Sequence, residues 1–327
     1  MADDFGYLNA RVRARRGELL PEGFFQEALH LSFADFLRLL GETAYAPDLA
    51  GEDLESVDRA VAQHLARRVG DLPRLVTGAA REALQLLLVR ADLVNVKAIL
   101  RGKAAGQPAE EIKGRLAGGT LPEGILNALL EAPDAASMAQ ILLLPGHPLA
   151  RAVREALQKT QDPFELEVEL DRTFYEGLLR QAKRLDDVFL AGYLALEIDA
   201  VNLATAFKLQ ASGASGQADR YFVAGGRYVT LALFNRLAAA ELTALDELVS
   251  TPLAPVVEAR DLGALERGLR CALLDKARQG ANDPLGAGLV LSYIRAKEWE
   301  AARIRLLARR AYYELPVEAV EREVFCA

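Results

Sequence analysis

Apolar residues recur at helical spacing along almost the whole chain. Leu86, Val89, Leu93, Val96 and Leu100 step by three, four, three and four residues, the pattern of one helix face packed on its neighbours. Clean helix starts are predicted at Asp162-Pro163 and Asp283-Pro284, where an aspartate caps and the proline's missing N–H costs nothing in the first turn. Gly70, Gly106, Gly213 and Gly280 stand where left-handed C-caps are expected. The stretch 164–170 alternates apolar and acidic residues, as a half-buried strand does. Phe164, Leu170, Phe174 and Leu178 nevertheless carry the helical spacing onward, and a lone strand would have no partner. The chain reads as all-α.

The pattern also repeats. Ser32, Ser137 and Thr243 open similar segments, each with a hydroxyl cap, a polar residue three later and Leu at the sixth position; they lie 105 and 106 residues apart. A second signature follows: Asp92-Leu93-Val94-Asn95 with Arg101 and Gly106, then Asp199-Ala200-Val201-Asn202 with Lys208 and Gly213. The third copy keeps an acid, Glu300, and a base, Arg309, and its Pro316, Glu318 and Val320 echo Pro108, Glu110 and Ile112. The stripe recurs as Tyr193, Leu196, Ala200, Leu203 and Phe207, and again as Ile294, Lys297, Ala301, Ile304 and Ala308, interrupted once at Lys297. Three sequence-related helical bundles are therefore expected, over 1–112, 113–216 and 217–327. Their long helices, near 73–106, 186–213 and 284–312, would reach about 40 Å at 1.5 Å per residue. Three like bundles suggest a pseudo-threefold body with a space along its axis.

Composition narrows the class. A chain of 327 residues points to two or three domains, and 51% hydrophobic with 26% charged residues excludes a disordered or fibrous chain. With 39 Lys+Arg against 46 Asp+Glu, the net charge of −7 argues against a nucleic-acid coat. Cys271 and Cys326 are far apart in sequence, so neither a disulfide framework nor a cysteine zinc site is expected, and a reducing, cytoplasmic setting fits. Met1 to Asn9 holds two aspartates and no long apolar run, so no secretory signal is expected. No uninterrupted apolar run approaches the length of about eighteen residues needed to span a membrane, so no transmembrane segment is expected.

Candidate chemistry is sparse. His30, His64 and His147 show no paired metal spacing, and Gly286-Ala287-Gly288 and Gly225-Gly226 lack the Lys-Ser/Thr and preceding strand of a phosphate loop. No Gly-x-Ser-x-Gly elbow occurs, and Glu110-Glu111 and Asp186-Asp187 read as first-turn charges favoured by the helix dipole. No catalytic, cofactor or metal constellation is predicted. Asp92 with Asn95, and Asp199 with Asn202, share a helix face at i and i+3 and are read as structural polar brackets. Arg101, Lys103, Lys208, Arg309 and Arg310 close the long helices, where the dipole alone favours cations by about 0.3–1 kcal/mol. On a threefold body they would also form a repeated positive rim, a candidate interface.

Several segments together resemble the C-subunit family of V-type ATPases/synthases, archaeal and bacterial, homologous to the d subunit of eukaryotic V-ATPases. They are Tyr7-Leu8-Asn9-Ala10-Arg11-Val12-Arg13-Ala14 with Leu19-Leu20, Asp92-Leu93-Val94-Asn95-Val96-Lys97 with Arg101-Gly102-Lys103, and Pro284-Leu285-Gly286 followed by Tyr293, Lys297-Glu298 and Glu300. Two departures stand out: Ala204 replaces the lysine after Asn202, and Arg303 stands where asparagine is expected. The resemblance implies a non-catalytic, all-helical, funnel-shaped subunit of the central rotor, seated on the cytoplasmic face of the membrane proteolipid ring. Its cavity would receive a shaft of D- and F-type subunits, coupling ATP chemistry to proton or sodium transport. The alternatives are a helical-repeat scaffold for peptide or protein ligands, although such repeats recur at about 34–47 residues, and an all-α enzyme whose groups converge from distant segments.

Overall fold

The three apolar stripes become the buried faces of three long helices: Gly78–Ala104, Val188–Ser212 and Gly288–Tyr312. All fifteen stripe residues are at most 9% exposed, Lys297 included. Each fully buried Leu, Ile, Val or Phe contributes about 1.5–3 kcal/mol by leaving water. In the computed structural model, residues 2–114, 116, 119–213 and 215–326 are described. They form α-helices joined by 3-10 turns, and no strand occurs among the described residues. The fold is all-α.

Two compact units divide the chain, one of residues 1–81 and 270–327, the other of 82–269. The first holds α1 (Ala2–Arg16), α2 (Glu22–Ala28), α3 (Phe33–Gly41), α4 (Leu54–Val69), α14 (Gly288–Tyr312) and α15 (Val317–Val324). Its core packs Phe25, Phe36, Leu40 and Val61 against Ile304, Leu307 and Val324. The second holds nearly all of α5 (Gly78–Ala104), then α6 (Ala109–Lys113), α7 (Glu123–Glu131), α8 (Ala135–Leu143), α9 (Pro148–Lys159), α10 (Pro163–Arg184), α11 (Val188–Ser212) and α12 (Leu231–Ala238). The helix α13 (Leu262–Gln279) begins in the second unit and ends in the first.

The rejected strand lies inside α10, although the side chain of Phe164 is outside the described residues. Ser32 caps α3 through the Asp35 N–H, and Gly106 and Gly213 adopt left-handed φ of 67° and 69°. Other expected boundaries need correction. At Ser137 the cap is Asp134, whose extended backbone brings its carboxylate to the Ser137 N–H at 2.7 Å. Thr243 lies within a 3-10 segment, Leu242–Leu248, because the Ala244 N–H bonds back to the Glu241 carbonyl. Gly70 is right-handed at φ −65°, and Gly280 opens a 3-10 turn without positive φ.

The predicted start at Asp283-Pro284 also shifts, since α14 begins at Gly288. Asp283 accepts the N–H groups of Leu285, Gly286 and Gly288 and so closes a turn. Asn9 Nδ2 holds the carbonyls of Pro284 and Gly286 at 2.9 and 3.2 Å, diverting them from a first helical turn.

Cys271 and Cys326 are bonded, with Cα atoms 5.4 Å apart, although their distance in sequence offers no expectation of a disulfide framework. Folding brings the segment after α15 back onto α13, a proximity that 55 residues of separation do not disclose.

By length and composition α11 alone among the described helices could cross a membrane, with a mean hydropathy of 1.4 over its most apolar window. It is a core helix. Glu197, Asp199 and Asn202 are buried within it, and Asp199 and Asn202 bond to backbone of their own unit.

Candidate functional site

The acids that recur along the sequence occupy the middle of the long helices. Asp92 on α5 is fully buried and accepts the Thr120 N–H at 2.8 Å and the Leu121 N–H at 3.2 Å. The Thr120 hydroxyl donates to the same carboxylate, and His147 Nε2 approaches it at 3.1 Å. On α11, Asp199 accepts the N–H groups of Arg227, Tyr228 and Val229 at 3.0, 3.0 and 2.9 Å. Burial raises the Asp199 pKa even against these three donors. With both oxygens taken by amides, this carboxylate is a clamp on a loop rather than a base open to substrate.

The asparagines stand one turn further along. Asn202 brackets Val223, donating to its carbonyl at 2.9 Å and accepting its N–H at 2.8 Å. Asn95 is fully buried at the corresponding place on α5.

In the first unit the arrangement is ionic. Glu300 on α14 accepts the Leu20 N–H and the Tyr45 hydroxyl, each at 2.7 Å, and the Lys297 ammonium donates to it. Lys297 also lies 5.0 Å from the Tyr45 ring centroid. The interruption of the third stripe is therefore a buried ion pair, not a surface position. Arg303 reaches the Glu22 carboxylate at 2.8 and 3.0 Å and stacks 3.5 Å over the Phe25 ring.

The candidate cations fall into different surroundings. Arg101 pairs with Glu167 at 3.2 Å, and the charge of Lys208, itself exposed, acts on the same Glu167 and on Asp171. Lys97 joins this group at 2.6 Å from Asp171. Burial raises both acids' pKa values while the three cations pull them down. Lys103 instead donates to the carbonyls of Leu130 and Ala132 at the end of α7, at 2.5 and 2.6 Å. Arg309 makes a two-pronged contact with Asp58, and Arg310 donates to the Leu31 carbonyl at 2.8 Å. Thus Arg101 and Lys208 are brought together about one acidic pair, while Arg309 and Arg310 belong to the other unit.

Tyr45, His64, Glu167 and Asp171 are functional candidates that spacing alone did not single out. His64 is fully buried and stacks on Tyr45, with centroids 4.1 Å apart. Its signal in the sequence is faint: one histidine on the inner face of α4. His147 caps α9 through the Leu149 N–H, and His30 is exposed. Among the described residues no group of His, Cys, Asp and Glu is placed to hold a metal.

An all-α fold with carboxylates clamping loops from the centres of three long helices finds its class by comparison. The chain belongs to the ATP synthase (C/AC39) subunit family, whose model matches residues 8–323. It is similar to the C subunit of the V-type ATP synthase of Thermus thermophilus, 58% identical over 326 residues and the full length of both chains. The corresponding V-type C subunit of Deinococcus radiodurans is 33% identical, covering 99% of this chain and 92% of the relative. The C subunit of the A-type ATP synthase of Haloferax volcanii is 30% identical, covering 97% and 96%.

Proposed function

We propose that the chain is a non-catalytic subunit of the central rotor of a V-type ATPase/ATP synthase. In this reading it stands on the cytoplasmic face between D- and F-type shaft subunits and the membrane proteolipid ring. It passes torque between them, coupling ATP synthesis or hydrolysis to proton or sodium transport. The observation that carries the reading is the family match over nearly the whole length. The helices add a mechanical reason. A coupling piece has to resist deformation, and close-packed interiors deform little. Loops held to those helices by several charge-assisted bonds resist it further.

The stretches 1–112, 113–216 and 217–327 are taken as three related bundles about a pseudo-threefold axis, with Arg101, Lys208 and Arg309 as docking cations. Tethering the chain within the purified complex tests the reading. A cross-link to the shaft leaves ATP-driven rotation running, because both parts turn together, whereas a cross-link to a stationary subunit stops it. Rotation that survives the stationary tether would overturn the proposal.

A further inference from the structure

The bonded pair Cys271–Cys326 comprises the two cysteines of the sequence, so neither has a competing partner within the chain. Both are half-buried, within reach of a solvent reagent. Their bond is one of several attachments of the segment 317–326 to its unit, and Val317 and Phe325 also pack against the core. Val320 and Val324 enter the core, and Arg270, the neighbour of Cys271, reaches the Glu323 carboxylate at 2.8 Å. The Arg270 guanidinium also lies 4.7 Å over the Trp299 ring, so it is anchored independently of the sulfurs. The unit's apolar core does not depend on the bond, as the cores of small disulfide scaffolds do.

We propose that Cys271–Cys326 is a reversible thiol–disulfide modification site. It exchanges with a low-molecular-weight or protein dithiol, and its state sets how firmly 317–326 is held. Opening begins when a thiolate of the reduced dithiol attacks one sulfur, forming a mixed disulfide and releasing the other cysteine as thiolate. The dithiol's second sulfur then displaces the first cysteine. The reagent leaves oxidised by two electrons, and the two cysteines take up two protons. Closing is the reverse, driven by an oxidised dithiol. In the open state Val320, Val324 and the Arg270–Glu323 pair remain, so the unit stays folded while its last segment detaches more often.

The test equilibrates the full-length chain across graded ratios of reduced to oxidised dithiothreitol. Free thiols are trapped with N-ethylmaleimide and counted by intact mass, and hydrogen exchange is followed in both states. The expected result is one two-electron transition between no labels and two. In the reduced state, exchange over 317–326 speeds by about tenfold or more while α4 is unchanged. Cys326→Ser shows the fast segment at every ratio. A bond still closed in the folded protein at the most reducing ratio would make it a permanent staple and overturn the proposal. So would thiols that never pair, or equal exchange over 317–326 in the two wild-type states.

Discussion

Asp92 and Asp199 make the same bond: each receives the N–H of the residue 28 positions further on, Thr120 in one case and Arg227 in the other. The residue before each donor is glycine. A Cβ on Gly119 would lie 2.0 Å from Asp92 Oδ1, and one on Gly226 would lie 2.1 Å from Asp199 Oδ1. Carboxylate and glycine therefore act together, because the acid can grip the backbone only where no side chain intervenes.

This coupling predicts a thermodynamic signature. Asp199→Asn removes the charge that three amides share, and Gly226→Ala pushes the loop off the carboxylate. Each should lower unfolding stability by about 2–3 kcal/mol, the cost of weakening bonds to a buried charged acceptor. Because both break one contact, the double variant should lose clearly less than the sum. Urea unfolding of the four proteins measures the cycle, and strictly additive losses would show that the two residues act separately.

The Lys297–Glu300–Tyr45 cluster makes a second prediction. Lys297→Met leaves the Glu300 carboxylate buried with its cation gone, and should cost about 3–5 kcal/mol. Adding Glu300→Gln should recover much of that loss, since a neutral amide no longer demands a counter-charge. The recovery is read as a rise in the urea midpoint of the double variant over Lys297→Met alone.

These two sites differ in how far the sequence discloses them. The stripes are legible because a helix with one buried face must repeat its apolar residues at the helical period, and all three stripes are buried. The Asp-x-x-Asn spacing is legible too, but not what it grips, since Thr120 and Arg227 lie in loops without periodicity. Lys297 looks like a flaw in the third stripe because Tyr45, which shares Glu300 with it, sits at the far end of the sequence. The expected helix start at Pro284 fails for a similar reason: Asn9, near the other end of the chain, takes the carbonyls that the helix would use. The Cys271–Cys326 bond and the meeting of Arg101 with Lys208 about Glu167 likewise depend on tertiary proximity.

His64 makes the first unit sensitive to acid. Burial, then the charges of Lys297 and Arg68, hold its pKa down to about 4, while Asp48 partly offsets them. In the unfolded chain its ordinary value is 6.5. Between these values the unfolded state binds more protons, so stability falls as pH falls through 6.5 and levels off below about 4. The whole span is worth about 3 kcal/mol. His64→Phe keeps the stack on Tyr45 and removes the titration. Urea unfolding at a series of pH values should give a shallower slope for the variant across this window; equal slopes would exclude His64 as the cause.

The last prediction concerns the cations proposed to dock. The Arg101 side chain is 63% exposed and that of Arg309 is 41% exposed, so their pairs with Glu167 and Asp58 are worth only about 0.2–1 kcal/mol each. Such contacts can be exchanged for a partner's carboxylates or carbonyls at little cost. Reversal of Arg101, Lys208 and Arg309 to Glu should therefore weaken assembly with shaft or ring, most at low salt, where screening is small. Reversal also sets new carboxylates against Glu167, Asp171 and Asp58, which adds repulsion inside the chain. The neutral triple variant, with Gln at all three positions, separates the two effects. It should keep its melting temperature to within a few degrees, since exposed substitutions usually change stability by no more than about 0.5 kcal/mol each. It should still co-purify with the shaft and ring less than the wild type does, by a margin that widens as salt is lowered. If both triple variants assemble like the wild type at low salt, these cations serve their own helix ends and acids, and docking rests on other residues.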